Sequence, residues 1–388
     1  MRAALRVASL ALVVAVAALP GRPATPAAEG AHTLGVVVFV EALTDAAHVV
    51  QVGADGSRRK RLVTLTNGAL GVVAFSTDRR RVAFVETRAD KQDRLLPGTL
   101  VVVDLESGGR RAVARGVASS IRLSWSPDDA EIAYVDALRG AVYVVRSDGG
   151  AGSRLLRAHR PGADFVFAVW SPLADLVAIA WGEEISDDGG NNPDYDGVVE
   201  LVSRTGRLVS RLDTGFVTEL VWSPNGRRLA ILYPHSGSTG DVLIAPRWTQ
   251  YSSIAGGSIS AATWSPRGTR LLLVEYPDEV GRAPVIGLVL PKRGRLLFAK
   301  DGIRISGQGL GGGTTRPDWR DPRTIVLGGC TDVSFVLPAR RCAVYTVEQG
   351  RLRRLAAAGS HNCFGRCDET FAVAWLPTRL KRPVPAEG

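Results

Sequence analysis

The sequence predicts an all-β fold assembled from repeated four-stranded antiparallel units, and three observations carry that prediction. One short residue pattern recurs from residue 75 to the end of the chain. Apolar runs of strand length alternate with Gly, Pro, Asp and Ser turn residues. No stretch sustains a helical period.

The recurring pattern is an apolar strand ending in an aromatic, a Ser-Pro-type turn, and a second apolar strand. It reads Phe75-Ser76-Thr77-Asp78 before Val82-Ala83-Phe84, and Trp125-Ser126-Pro127-Asp128 before Ile132-Ala133-Tyr134. Trp170-Ser171-Pro172 precedes Val177-Ala178-Ile179, and Trp222-Ser223-Pro224-Asn225-Gly226 precedes Leu229-Ala230-Ile231. Trp264-Ser265-Pro266-Arg267-Gly268 precedes Leu271-Leu272-Leu273, Trp319-Arg320-Asp321-Pro322 precedes Ile325-Val326-Leu327, and Trp375-Leu376-Pro377 closes the series. The aromatic anchors are spaced by 42 to 56 residues, a period of propellers or solenoids. In Ser223-Pro224-Asn225-Gly226, Pro presets φ, Asn tolerates the next turn position, and Gly accepts the left-handed conformation that returns the chain. The anchor tryptophans are expected to fill the gap between adjacent twisted sheets as core residues.

A third strand with its own turn follows each variable loop, as in Leu100-Val101-Val102-Val103-Asp104 before Ser107-Gly108-Gly109, and then a fourth, as in Arg154-Leu155-Leu156. Four antiparallel strands in about 50 residues make one propeller blade. The termini set the blade number. Val36 to Glu41, His48 to Val52 and Arg61 to Leu65 read as strands two to four of a blade without its first strand. Phe371-Ala372-Val373-Ala374-Trp375 reads as a first strand without the rest. Joined, they complete a seventh blade and close the ring; unjoined, they leave six blades and a loose N-terminal segment. The propeller is expected over residues 34–380, with a tail at 381–388.

Residues 1–30 read as an export signal and short linker. Arg2 and Arg6 precede an apolar run from Val7 to Leu19, broken by Pro20, Gly21 and Pro23. Ala15-Val16-Ala17 and the Ala27-Ala28 region offer cleavage sites. The run is shorter than the ~20 residues that span a bilayer. The mature protein is expected to be exported, periplasmic or extracellular, monomeric and not membrane-spanning.

Composition is globular, at 45% hydrophobic and 22% charged. The net charge of +10 comes from 48 Lys+Arg, of which only Lys60, Lys91, Lys292, Lys300 and Lys381 are Lys. These cations are scattered along the chain without interleaved aromatics, which argues against a nucleic-acid partner. Four Cys in an exported chain favour disulfides. Cys330 with Cys342 and Cys363 with Cys367 are the expected local pairs among three connectivities. The rival is a metal site from His361, Cys363 and Cys367.

The Trp-Ser-Pro-Asp/Asn-Gly turn followed by an Ile-Ala-Tyr-like strand resembles the WD-like propeller repeat of the TolB family. Prolyl-oligopeptidase-type enzymes carry similar propellers. The resemblance spans residues 34–380 and implies a propeller fold. The TolB family also carries an α/β domain before its propeller, and none is expected in this chain. The Gly-x-Ser-x-Gly nucleophile elbow of the peptidases does not occur in this sequence.

Catalytic candidates are few. His32, His48, His159, His235 and His361 have no metal-pair spacing, so they cannot readily assemble the His-rich metal site of propeller lyases. The most specific site signal is the acidic loop from Glu183 to Gly197. In Asn192-Pro193-Asp194-Tyr195-Asp196-Gly197, three oxygen ligands alternate before a turning Gly, the spacing of a calcium loop. Glu200 sits where a further oxygen ligand would be expected. The alternative is a solvated acidic loop.

Loop length gives a second signal. Connections between strands one and two are short and uniform, whereas those between strands two and three are long and dissimilar. The long ones are Glu86 to Gly98, Glu183 to Gly197, Tyr233 to Gly240, Tyr276 to Pro284, and Gly329 to Arg341. Variable loops on a rigid scaffold are where binding usually resides. The favoured expectation is a non-catalytic exported propeller that binds a protein or cell-envelope polymer through that rim. The alternative is a calcium-dependent propeller hydrolase or lactonase.

Overall fold

The computed structural model describes residues 35–42, 46–66, 69–88, 90–91, 95–150, 152–157, 165–173, 175–184, 195–215, 217–234, 240–244, 249–252, 258–276, 285–289, 318–321, 324–331, 341–348, 351–360 and 373–376. Every regular element among them is a strand, and neighbouring strands form antiparallel meanders.

The first run is β1 (Val36–Ala42), β2 (Ala47–Gly53) and β3 (Lys60–Thr66). Next come β4 (Ala69–Phe75), β5 (Arg81–Thr87), β6 (Gly98–Asp104) and β7 (Arg110–Val117), and then β8 (Ser124–Trp125), β9 (Glu131–Asp136), β10 (Ala141–Arg146) and β11 (Ser153–Arg157). Two four-stranded sheets follow: β12 (Phe165–Trp170), β13 (Leu176–Glu184), β14 (Tyr195–Ser203) and β15 (Leu208–Thr214), then β16 (Glu219–Trp222), β17 (Leu229–Pro234), β18 (Gly240–Ile244) and β19 (Thr249–Ser252). A sheet of β20 (Ser258–Trp264), β21 (Leu271–Tyr276) and β22 (Val285–Val289) precedes β23 (Asp318–Asp321), β24 (Thr324–Thr331), β25 (Arg341–Glu348) and β26 (Arg351–Ser360). The final strand, β27 (Val373–Leu376), turns back to the start of the chain. It pairs antiparallel with β1, in the register Val36↔Leu376, Val37↔Trp375, Val38↔Ala374 and Phe39↔Val373.

The second strand of each run is apolar through its middle, as in β1, which is covered on both faces. Val36, Val38 and Val40 of β1 pack with Val82, Phe84, Val101 and Val103 of the following sheet. Val37 and Phe39, pointing the other way, pack with Val326, Val344 and Leu355 of β24–β26. Successive side chains of a strand point to opposite faces, so stacking sheets face to face buries both sets. The first strands β4, β8, β12, β16 and β20 each touch the next. Fourth strands lie at the outer ends of the meanders. Only single residue pairs, Val117↔Asp136 and Ala42↔Gly359, join β7 to β9 and β26 to β1.

The predicted turn is built as the residues require. Ser76 N donates to Arg81 O at 2.9 Å, and the Ser126, Ser223 and Ser265 amides repeat the bond with Glu131, Arg228 and Arg270. The Ser hydroxyl closes the turn from inside: Ser76 Oγ donates to Asp78 Oδ1 at 2.6 Å and accepts from Arg81 N at 2.9 Å. The fourth position after the aromatic is left-handed in each turn, at φ 60° for Arg79, 55° for Asp129, 59° for Gly226 and 62° for Gly268. Gly adopts that conformation at no steric cost, whereas Arg79 and Asp129 adopt it under strain.

Candidate functional site

The tryptophans act between sheets, as core residues. Trp125 Nε1 donates to Ala74 O at 3.1 Å, Trp222 Nε1 to Val169 O at 3.2 Å, and Trp264 Nε1 to Val221 O at 3.0 Å. In each case the acceptor immediately precedes the aromatic anchor of the sheet before. Trp170 departs from the rule, for its Nε1 is buried without a hydrogen-bond partner. An arginine six residues after the anchor adds a second latch. Arg81 lies 5.1 Å over the Trp125 ring and donates to Asp129 O, and Arg228 lies 5.9 Å over Trp264 and donates to Gly268 O. At Trp125 that sixth position is Glu131, so the cation comes from elsewhere: Arg204 binds Glu131 at 2.8 Å and covers Trp170 at 5.6 Å.

Four carboxylates among the described residues are buried, and each is held by donors. Asp129 accepts from Thr77 N at 2.7 Å and Asp78 N at 3.0 Å, across the gap to the preceding turn. Asp136 accepts from Leu138 N, Arg139 N and the Arg139 guanidinium. Glu219 is bound by Arg122 at 3.0 Å and by Ala262 N at 3.1 Å, and so joins three different sheets. Arg122 and Glu219 both stand three residues before their aromatic anchors, Arg122 just ahead of β8 and Glu219 at the start of β16. Glu200, at 0% exposure, receives Arg157 Nε at 2.6 Å and Nη2 at 2.7 Å. The bond to Glu200 raises the Arg157 pKa further above its already high value. Arg204 gathers three more carboxylates, Glu131, Asp128 and Asp175. Partial burial works against ionisation of Asp128, but hydrogen bonds from Ser126 Oγ, Ala130 N and Arg204 outweigh it and hold the carboxyl at about 2.

Glu200, expected from the sequence as an extra oxygen for a calcium site, is engaged by Arg157 in this structure. It shares β14 with Asp196, four residues away along the extended strand, a separation of about 13 Å. Sequence spacing placed it near the loop; the strand carries it away, toward an arginine 43 residues earlier in the chain. Register pairs Glu183 with Asp196 and Glu184 with Tyr195 at the base of the acidic loop. Asn192 and Asp194 lie outside the described residues. Among the described residues no group of three or more His, Cys, Asp or Glu is arranged to hold a metal ion.

Cys330 and Cys342 are register partners in β24 and β25; Cys363 and Cys367 lie outside the described residues, as do His32, His159, His235 and His361. His48 is buried, with Nδ1 3.2 Å from Thr64 Oγ1 and Nε2 3.4 Å from Arg61.

Most of the long connections between second and third strands lie outside the described residues. One can be followed in part. The base of the connection after β5 is closed by Leu96 N on Arg88 O at 2.8 Å, with Thr87 and Ser119 hydroxyls donating to Leu96 O. The β9–β10 turn is short, pinned by Asp136, and presents Leu138 at 84% exposure. No helix among the described residues is long and apolar enough to cross a membrane.

No family model matches the chain, and no curated protein matches its sequence. Solved structures do resemble it. A prolyl endopeptidase structure aligns at TM-score 0.54 and 16% identity, over 84% of this chain and 50% of that one. An acylaminoacyl peptidase from Pyrococcus horikoshii aligns at TM-score 0.52 and 14% identity, over 74% of this chain and 46% of that one. TolB from Acinetobacter baumannii aligns at TM-score 0.45 and 17% identity, over 66% of this chain and 61% of that one. The chain thus spans about half to three-fifths of these proteins, and the likeness to the peptidases is one of fold.

Proposed function

We propose that the protein is an exported, non-catalytic scaffold that binds a protein or cell-envelope polymer through the rim formed by its strand two-to-three connections. In this reading the strands form seven blades, and the β27–β1 pairing closes the ring. A cross-strand disulfide between Cys330 and Cys342 would then brace one of the rim connections, since opposed antiparallel residues lie within disulfide reach.

The observation that carries the reading is the state of the buried carboxylates. Asp129, Asp136, Glu200 and Glu219 are each engaged by arginine or backbone N–H donors, so these carboxylates serve as ties within and between sheets. A general acid or base has to be within hydrogen-bond reach of a substrate proton. Carboxylates clamped between sheets suit a rigid support for variable loops.

Affinity capture on the organism's envelope and secreted fractions, with calcium and with chelator, tests the reading. A stoichiometric protein or glycan partner is expected, and loss of capture when the Glu183–Gly197 loop is replaced by a short turn would assign the rim. Hydrolytic turnover by the purified protein, lost in the same replacement, would overturn it. The pairing of Glu183 with Asp196 keeps a calcium-dependent role for that loop open to the same experiment, because it gathers acidic residues at the loop's base.

A further inference from the structure

The strands sort charge by their place in the meander. The outermost strands β3 (KRLVTLT), β7 (RRAVARGV), β11 (SRLLR), β15 (LVSRLDT) and β26 (RLRRLAAAGS) carry eleven Arg or Lys and a single acid, Asp213. All other described strands together carry only four basic residues, Arg81, Arg146, Arg320 and Arg341, against fifteen Asp or Glu. The cations look scattered in the sequence because an outermost strand recurs only once per ~50-residue repeat. Folding brings them to one perimeter.

The perimeter is continuous from β26 through β3 and β7 to the β10–β11 turn. Arg353 Nη2 reaches Asp55 O at 2.9 Å and Arg59 Nη1 reaches Ala357 O at 2.7 Å, joining the edge of β26 to the β2–β3 turn. Arg110 reaches Leu65 O from β7 to β3, and Arg111 reaches Asp148 O in the β10–β11 turn. Arg111, Arg115, Arg353 and Arg354 are exposed. The bonds of Arg111 and Arg353 to carbonyls fix their geometry without cancelling their charge. Arg110, Arg154, Arg157 and Arg211, by contrast, are ion-paired with Glu86, Glu131, Glu200 and Asp213, so the excess positive charge lies on β26, β3 and β7. Charged residues also protect open strand edges from pairing with other chains. Edge position alone does not demand arginine, however: β19 (TQYS), also outermost in its sheet, carries no charge.

We propose that the outermost strands β26, β3 and β7 form a cationic belt that binds a linear acidic polysaccharide. A flexible chain with carboxylates at regular intervals can follow successive strand edges around a curved perimeter. A flat membrane or a globular partner would meet only one or two edges. The belt is separate from the loop-rich rim; it deepens the envelope-binding reading by naming a polymer class.

The test uses the full mature protein with polygalacturonate as probe, and with neutral dextran, anionic phosphatidylglycerol vesicles and single-stranded DNA for comparison. Binding to polygalacturonate is expected, weakening steeply as salt rises. Arg111→Gln, Arg115→Gln and Arg354→Gln together should weaken it about tenfold. The equally charged control Arg80→Gln, Arg227→Gln and Arg270→Gln, exposed in the strand one-to-two turns, should stay within about twofold of the parent. Equal weakening by both triple variants would reduce the effect to net charge and overturn the belt. Absence of binding, or preference for vesicles or DNA, would overturn it as well. Neither variant alters the strand two-to-three loops, so failure here is distinguishable from failure of the rim reading.

Discussion

Removing the Arg157 guanidinium while leaving Glu200 should harm the fold far more than removing both charges. Glu200 is fully buried on β14, and Arg157 supplies both of the hydrogen bonds described at its carboxylate, at 2.6 and 2.7 Å. Breaking a buried pair by deleting one partner costs about 3–5 kcal/mol, because the remaining charge is stranded. The Arg157 side chain is 33% exposed, so water can partly replace it. That places Arg157→Met near the lower end, at about 3 kcal/mol. In Arg157→Met with Glu200→Leu no charge is stranded, and apolar replacements of a buried pair are often neutral or stabilising. The double variant should fall within about 1 kcal/mol of the parent. Urea unfolding followed by tryptophan fluorescence reads all four corners of the cycle. A single variant losing less than about 0.5 kcal/mol, or a double variant worse than the single, would refute the reasoning. The shift between melts taken with calcium and with chelator should be the same for Glu200→Gln as for the parent, since Glu200 is held by arginine.

Other substitutions separate the latches. Trp264→Phe should cost more than Trp170→Phe by about 1 kcal/mol, because only Trp264 gives up a hydrogen bond, to Val221 O; thermal melts of the pair suffice. Asp129→Ala and Asp129→Gly both lose the carboxylate that holds Thr77 N and Asp78 N, but Gly accepts φ 55° without strain. The Gly variant should therefore be the more stable of the two by about 1 kcal/mol in urea. Asp128 titrates at about 2 in the fold, below its ordinary carboxylate value of 3.8. Its contribution is present above about pH 4 and is lost as pH falls toward about 2. With the carboxyl half exposed, screening holds that contribution under about 1 kcal/mol. The stability lost between those two pH values should be smaller in Arg204→Ala than in the parent, as acid-dependent urea midpoints would report.

The elements legible in the sequence were those fixed by local chemistry. The Ser-Pro-Asn-Gly turn states its own geometry, and the structure reproduces it down to the left-handed fourth residue. The pairing of the C-terminal strand with β1 was legible because each end lacked what the other supplied. Long-range partnerships were not legible. Nothing in the spacing of Arg157 and Glu200, or of Arg122 and Glu219, signals contact, since sheet stacking rather than chain proximity creates it. Arg204 shows why a repeat pattern misleads locally: it substitutes for a cation that Glu131 displaced, from a turn on the next sheet. The cationic perimeter escaped for the same reason, because its residues are adjacent only after folding.

Hydrogen exchange along the mature chain, with and without its captured partner, tests the rim assignment most directly. Protection should concentrate in residues 88–97, 185–194, 235–239, 277–284 and 332–340, the strand two-to-three connections, while the Ser-Pro turns at 76–80, 126–130, 223–228 and 265–270 stay unchanged. Protection confined to those turns, with the connections unaffected, would contradict the proposed binding face.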